Sequence, residues 1–431
     1  MRRYKLKEIS NIYNGSTPST SDASNYDGDI IWITPKDLSN QKSKYVSKGE
    51  RNITEKGYKN CSTTMLPKGT ILLSSRAPIG LLAIAKTELC TNQGFKNIVP
   101  QKELVDNNYL YYLLRLKIKE IEALGSGTTF KEVSKTSLEN YEIDIHDIAE
   151  QQKISNILNA IDDKIALNNK INQELEQMAK TLYDYWFVQF DFPDEKGRPY
   201  KSANGKMVYN EVLKREIPEG WEVGTFASYI KQDKGGDWGK DECSGNYIKR
   251  VHCIRGADFP SLTGHSSCKA PIRFILNKNS SKILSSGDLV IEISGGSPTQ
   301  STGRIGYINQ HVLERFDDDV ITSNFCKALS LNNKNTLYNF YLEWERLYKS
   351  GLFFNYEGKT TGIKNLLFDT FVESYKIAIP PQNIINAFYD TVRNIFEKIQ
   401  CNAKENHYLE TIRDFLLPLL MNGQVTISSE H

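Results

Sequence analysis

The chain has 431 residues, with 54 Lys plus Arg against 52 Asp plus Glu and a formal net charge of +2. At about 150 residues per domain, that length gives two or three cores and excludes a single small module. The near balance of charge means that any surface for a polyanion has to come from local clustering.

No apolar run approaches the ~20 residues of a membrane span, and Met1-Arg2-Arg3-Tyr4-Lys5 leads into no hydrophobic signal stretch, so a cytoplasmic protein is expected. The first predicted element is amphipathic, with Tyr4, Leu6, Ile9 and Ile12 on one side. Leu66-Pro67-Lys68-Gly69 then forms a glycine turn before the strand-like run Thr70-Ile71-Leu72-Leu73. Thr128-Thr129 and the alternating Tyr141, Ile143, Ile145 follow. From residue 151 to 187 no Pro or Gly interrupts a helical pattern in which Ile154, Ile161, Leu175 and Leu182 hold one seven-residue register. Ile157, Ile171, Met178 and Tyr185 are expected to hold the other, a coiled-coil seam about 55 Å long at 1.5 Å per residue. Residues 188–220, rich in Pro, Gly and charge, read as a linker.

The plan then repeats. Trp221, Val223, Phe226 and Tyr229 answer to the first opening at an offset of 217, and Leu284-Ser285-Ser286-Gly287-Asp288-Leu289-Val290-Ile291 to the first glycine turn at 218. Thr360-Thr361 lie 232 residues after Thr128-Thr129, and Tyr375, Ile377, Ile379 lie 234 after their counterparts, so the second copy carries an insertion, visible between Ser294 and Gly306. A second helix follows from Gln382, with Phe388, Ile395, Leu409 and Leu416 in step with Ile154, Ile161, Leu175 and Leu182. Asn168 and Asn402 occupy the equivalent seam position in the two helices. An Asn in an apolar seam lowers stability but fixes register, because it is satisfied only opposite another polar group. The bland alternative is that each faces solvent. An intramolecular antiparallel helix pair suits this alternation of domains and helices; homodimerisation through one helix competes with it. The expected class is α+β, two mixed α/β domains alternating with two long helices packed as an antiparallel coiled coil. The expected boundaries are 1–147, helix 148–187, linker 188–220, second domain 221–380, helix 381–423 and a tail at 424–431.

Enzyme chemistry lacks its parts. There is no P-loop, and the nearest approach to the Asn-Pro-Pro-aromatic string of an adenine methyltransferase is Ile379-Pro380-Pro381-Gln382. Glu357-Gly358-Lys359 is a fragment of a nuclease pattern without a convincing acidic partner, and no nucleophile–base pairing is visible among six His. Seven scattered Cys never form C-x-x-C, which argues against a disulfide framework and a zinc ribbon. The spacing of Cys243, His252, Cys253, His265 and Cys268 fits no zinc motif. No metal site and no catalytic residue is assigned.

Several segments carry a resemblance: Leu72-Leu73-Ser74-Ser75-Arg76-Ala77-Pro78-Ile79-Gly80, Gly127-Thr128-Thr129-Phe130-Lys131, and Ile148-Ala149-Glu150-Gln151-Gln152-Lys153-Ile154. The linker strings Phe192-Pro193-Asp194-Glu195 and Arg198-Pro199-Tyr200-Lys201-Ser202, then Ile217-Pro218-Glu219-Gly220-Trp221, and the loop from Ile293 to Gly306 complete it. In that order, twice over and separated by long helices, they resemble the DNA-specificity subunit of a Type I restriction-modification system over essentially the whole chain. The resemblance implies two target-recognition domains, each reading half of a split asymmetric DNA sequence. It implies an antiparallel helical spacer that docks two methyltransferase subunits, and motor-nuclease subunits when restricting. S-adenosylmethionine, ATP and Mg would then belong to those partners, with no cofactor in this chain. Two readers on a rigid rod suit half-sites about one helical turn, ~34 Å, apart. A Type II-like system with fused nuclease and methyltransferase, and a helical scaffold that binds protein, are the rival readings. Two departures from the pattern are Cys401 beside Asn402, and Pro380-Pro381-Gln382-Asn383 where the first copy has Ala149-Glu150-Gln151-Gln152.

The expected DNA contacts are local. Ser75-Arg76 follows a strand and precedes Pro78 and Gly80, so Arg76 projects from a turn, where a guanidinium grips a phosphate or reads guanine with two hydrogen bonds. A structural Arg bridging carboxylates is the alternative. In the second copy Ser297, Gln300, Ser301, Thr302 and Arg304 combine a possible adenine reader with phosphate-binding hydroxyls, a composition that also describes an ordinary flexible loop. Thr128, Thr129 and Lys131, mirrored by Lys359, Thr360, Thr361 and Lys364, form the other candidate loops. Gly125, Gly127, Gly358 and Gly362 would allow close backbone approach there, with a capping or turn role as the alternative. Base-reading residues within 42–59 and 231–255 cannot be picked individually.

Overall fold

The computed structural model describes all residues except Asn40, Lys42, 128–130, Ser267, Thr361 and 428–431, and the side chains of Lys359 and Thr360 also lie outside the description. Two compact units are formed, one from Met1–Ala166 with Tyr408–His431, the other from Leu167–His407.

The first unit contains strands β1 (Arg2–Lys5), β2 (Ser10–Asn14), β3 (Tyr45–Val46), β4 (Ile71–Ser75), β5 (Ile79–Ala85) and β6 (Phe95–Pro100), helix α1 (Asn107–Leu116) and strand β7 (Glu142–Ile145). Five strands form one sheet in the order β2-β6-β4-β5-β3. The run Ile71-Leu72-Leu73 shows no alternation because β4 is central and buried on both faces, with Ile71 and Leu73 in one core cluster and Leu72 in another. Asp106 caps α1 by accepting from the Tyr109 backbone N–H at 2.9 Å, and Tyr109, Leu110, Leu113 and Leu114 of that helix are buried. The antiparallel pairing of β1 with β7 joins the beginning and end of the mixed segment.

The second unit repeats this scheme. After a helical turn at Asp184–Val188 and a linker hairpin, it contains β8 (Glu222–Thr225), β9 (Ile230–Gly235), β10 (Tyr247–Ile254), β11 (Ile272–Leu276), β12 (Leu289–Glu292), β13 (Ser294–Gly295), β14 (Ile305–Tyr307), β15 (Val320–Thr322) and β16 (Cys326–Leu331). Helix α2 (Leu337–Lys349), β17 (Glu357–Thr360), β18 (Ile363–Leu366) and β19 (Lys376–Ile379) complete its mixed segment. Its main sheet has the order β9-β16-β12-β14, the counterpart of β2-β6-β4-β5, and β8 pairs antiparallel with β19 as β1 does with β7. The insertion expected from the offsets is the loop between β12 and β14, 12 residues against the three between β4 and β5.

Two long helices contribute to both units: α3 (Ile148–Tyr183) and α4 (Gln382–Met421). In the first unit, the Arg413 guanidinium donates to Asp162 at 2.8 Å, and Ile154 and Leu158 share a core with Leu417, Leu420 and Met421. In the second unit, the Asn168 carboxamide donates to Asn406 at 2.9 Å and Asn402 donates to Asn172 at 2.8 Å. Towards the end of α3, Tyr183 meets the Phe388 ring edge-on at 5.9 Å. Partner numbers fall on α4 as they rise on α3, so the strands of this pair run antiparallel.

Asn168 and Asn402 are both buried, so neither faces solvent. They do not meet each other: each pairs with a further Asn, one turn along the opposite helix. The second seam register differs from the expected one. Leu158, Ile165, Asn172, Ala179 and Trp186 are buried, whereas Met178, in the register read from the sequence, is 54% exposed. The packing row contains a polar and a small residue, so an apolar count shifted the seam by one position. Cys401 is exposed and therefore lies off the seam, and Ile385, Val392, Ile399 and Asn406 continue an uninterrupted buried row on α4.

A buried carboxamide stripped of its partner costs about 1–3 kcal/mol, while replacing both partners by apolar groups of similar shape is close to neutral. Asn402→Leu is therefore expected to lower unfolding free energy in urea by about that amount, and Asn172→Leu/Asn402→Leu to recover most of it. Additive loss in the double variant would contradict the pairing.

Candidate nucleic-acid interface

In the first unit, β4 delivers Ser75 and Arg76 to a tight turn that leads into β5. Ser75 is buried, with its N–H donating to the Gly94 carbonyl at 2.7 Å and its hydroxyl to the same oxygen at 3.2 Å, so it fastens the strand end. Arg76 is 38% exposed at its side chain and its Nη1 stands 3.9 Å from Glu132 Oε2. That carboxylate also receives the Lys96 ammonium at 2.9 Å, and the Lys96 side chain is buried. Two cations sharing one carboxylate leave a local excess of positive charge. Residues Ser126 and Glu132 pair backbone to backbone, closing the loop that carries exposed Lys131, and the Val133 N–H donates to the Ser75 carbonyl at 3.0 Å. The Arg76 turn and the Lys131 loop are thereby tied at their bases. Thr128 and Thr129 lie outside the described residues.

In the second unit the same two positions are occupied differently. The loop after β12 begins with β13, which pairs with β18, and Ser294 donates to Asn365 at 2.6 Å. Gln300 is exposed and Ser297 half-buried, and the Gln300 N–H donates to the Ser297 hydroxyl at 3.2 Å. Further along, the loop turns inward. Ser301 is buried, with its carbonyl accepting from the Tyr348 hydroxyl at 3.2 Å. Thr302 is buried too; its N–H donates to Glu357 Oε1 at 2.8 Å.

Arg304 makes a two-bond pair with Glu292, at 2.7 and 2.6 Å, and these hydrogen bonds raise the guanidinium pKa above its ordinary value despite burial that works the other way. Gly256 permits that pair, since a Cβ there would stand 2.4 Å from Glu292 Oε1. Lys364 approaches Glu357 at 3.1 Å and lies over the Phe354 ring at 5.1 Å, with Phe354 itself exposed. Glu357 is thus engaged by Thr302 and Lys364 inside the fold. Thr361, and the side chains of Lys359 and Thr360, lie outside the described residues.

The structure therefore gathers Arg76 with the Lys131 loop, and Ser297 and Gln300 with the hairpin of β17 and β18, while Ser75, Ser301, Thr302 and Arg304 hold those loops from within. Of the carboxylates that organise both places, sequence reasoning missed Glu132 and Glu292, and noticed Glu357 only as part of a nuclease-like fragment. It also missed a pair of lysines: Lys96 and Lys327 occupy the second position of β6 and of β16. Lys327 meets Asp233 at 2.7 Å and Asp369 at 3.4 Å. A charge at the same place of an otherwise apolar strand in both copies was the available signal. Among the described residues no group of three or more His, Cys, Asp or Glu is placed to hold a metal ion, and no helix is long and apolar enough to cross a membrane.

Comparison with known proteins agrees with this duplicated arrangement. Residues 1–177 match the family model described as Type I restriction modification DNA specificity domain. The MjaIX specificity subunit of Methanocaldococcus jannaschii is 36% identical over 430 residues, 98% of this chain and 93% of that protein. The HindI specificity subunit of Haemophilus influenzae is 27% identical, over 77% of this chain and 80% of its own length. Among solved structures, the Type I S subunit from M. genitalium shares the fold, with a TM-score of 0.58 at 16% identity over 97% of this chain and 95% of that one. A relative that similar along nearly the whole length settles the family: the chain belongs to the DNA specificity subunits of Type I restriction-modification systems, the non-catalytic recognition components.

Proposed function

We propose that this specificity subunit reads a split, asymmetric DNA target through two half-site domains, each carried by one unit, and docks two methyltransferase subunits, with motor-nuclease subunits joining when the complex restricts. The observation that carries the reading is the repeated position of two exposed, donor-bearing loops on one sheet scheme. Arg76 and Lys131 are offered in the first unit, and Ser297 and Gln300 in the second, where Lys364 is paired with Glu357. Ser75, Ser301, Thr302 and Arg304 act as the supports of these loops, and Thr128, Thr129, Lys359, Thr360 and Thr361 as further phosphate contacts. The first set centres on a guanidinium suited to guanine or phosphate, the second on a carboxamide suited to adenine. Unlike readers imply unlike half-sites.

Docking is supported by apolar surface on the long helices. In the second unit α3 carries a shallow groove lined by Leu167, Ile171, Leu175, Met178 and Leu182. In the first, α4 exposes Tyr408, Ile412 and Phe415 at one-turn spacing. Contiguous apolar stripes of this kind on an otherwise charged chain mark protein interfaces. The methyltransferase subunits supply S-adenosylmethionine chemistry, the motor subunits ATP and Mg, and the assembly works on cytoplasmic DNA.

Sequencing the methylome of cells that co-express the chain with its methyltransferase is expected to reveal adenine methylation in a bipartite, non-palindromic motif; its absence would count against the reading. Arg76→Ala is expected to weaken binding by about 1–3 kcal/mol and relax one half of that motif only, with Gln300→Ala relaxing the other half. Equal loss on every sequence would reassign Arg76 to phosphate. Met178→Asp and Ile412→Asp are each expected to remove one methyltransferase subunit from the assembly in native mass spectrometry, and an unchanged stoichiometry would contradict the docking assignment.

A further inference from the structure

The second unit encloses a cavity of about 230 Å³ that the recognition of DNA does not use. Phe187, Trp221, Phe226, Phe340 and Tyr375 are among the residues that line it. Apolar rings alone would make it a packing defect, but polar groups also line it. Tyr229 is 8% exposed and its hydroxyl has no hydrogen-bond partner. Asn339 lines the same cavity and is 5% exposed. Glu343 does not relieve either group. One of its oxygens accepts from the Tyr183 hydroxyl at 2.9 Å and from Arg346 at 2.8 Å, and the other from Arg346 at 2.7 Å. Buried polar groups are paired in the great majority of cases, so an unpaired hydroxyl facing this chamber, beside a buried carboxamide, points to an occupant.

The mouth adds charge. Arg215 and Lys376 line the cavity from exposed positions, each the first residue of a strand in a separate two-stranded sheet, and neither is in an ion pair among the described residues. Arg346 is already paired with Glu343 and the Arg215 guanidinium lies over the Phe190 ring at 5.1 Å, a contact that leaves its charge without a carboxylate, so Arg215 and Lys376 are the cations placed to meet an anion. The whole arrangement is therefore graded, with stacking surface and two uncharged donor–acceptor groups inside and uncompensated positive charge outside. A hydrocarbon ring would leave the Tyr229 hydroxyl unpaired, and a bare phosphate would leave the rings unused. A flat ring with donors and acceptors along its edge satisfies the interior: a carboxamide pairs with such an edge, and aromatic side chains stack on its faces. A guanidinium fork and an ammonium suit a phosphate.

We propose that this cavity is a binding site for a mononucleotide, with the heteroaromatic ring seated between the aromatic walls against Tyr229 and Asn339 and the phosphate held at the mouth by Arg215 and Lys376. The proposal is independent of how the chain reads DNA. The test is calorimetric titration of the full-length chain with 5′-AMP, adenosine and inorganic phosphate, with tryptophan fluorescence as a second readout because Trp221 lines the cavity. AMP is expected to bind saturably, with adenosine and phosphate each about tenfold weaker. Tyr229→Phe, which keeps the ring, should weaken AMP about fivefold without lowering the thermal midpoint, because no protein hydrogen bond is lost. Arg215→Met, at an exposed position, should bring AMP down to the affinity of adenosine. Absence of saturable AMP binding up to about 5 mM would mean a cavity that holds water only and would overturn the proposal. Undiminished binding to both variants would place the nucleotide elsewhere and overturn it equally.

Discussion

The constraint on which the rest of the molecule depends is the need of four buried carboxamides for one another. Asn168 donates to Asn406 and Asn402 to Asn172, and each bond maps onto the other when the two helices exchange places by the 234-residue offset of the repeat. Leu and Ile rows tolerate a slip of a turn with modest loss. A carboxamide does not, since displacement sets it against apolar neighbours with its polar atoms unpaired. The Asn406 carboxamide also donates to Asn169 at 2.9 Å, and Asn172 to the Ile399 carbonyl at 3.2 Å, so both ends of the network are anchored. Once that register is set, the row through Ile165, Asn172 and Ala179 is the buried one, and Met178 and Leu167 are left outside as an apolar face. The surface proposed for docking is therefore a consequence of the polar lock.

Each unit builds its candidate contact loops on one scheme and then departs from it by electrostatics. In the first, a buried lysine and an exposed arginine share Glu132, leaving a guanidinium with surplus charge at a turn. In the second, Glu292 and Glu357 consume Arg304 and Lys364, so the exposed part of the inserted loop presents uncharged groups. Those ion pairs are partly buried, and their worth lies in fixing loop geometry more than in net stability. The same duplication that preserves the sheet order thus leaves the chemistry at its edge free to diverge, as the proposed reading of two unlike half-sites requires.

Much of this was legible in the amino-acid sequence. The repeat, the inserted loop and the two helices follow from offsets and periodicity, and Asn168 and Asn402 were visible as polar interruptions at one seam position. Their partners were not, because Asn172 and Asn406 sit in the second register, where apolar counting favoured Met178 and Tyr185 over a row that includes Asn and Ala. At the loops, residue types suggested contact with an anion, but composition does not say which way a side chain turns. Arg304 and Thr302 look like any exposed loop donors until Glu292 and Glu357, 12 and 55 residues away in the chain, are brought beside them. The aromatic cavity was illegible for a similar reason: its lining comes from the end of α3 and the turn after it, the linker, the residues that flank β8, α2 and β19, which share no motif.

The register of α3 against α4 is the claim to test most directly, by oxidative cross-linking of cysteine pairs introduced into the full-length chain with Cys401 replaced. Asn168→Cys with Asn406→Cys, and Asn172→Cys with Asn402→Cys, are predicted to form intramolecular bridges readily, while Asn168→Cys with Asn402→Cys is not. A bridge between positions 168 and 402, or none in the first two pairs, would contradict the account.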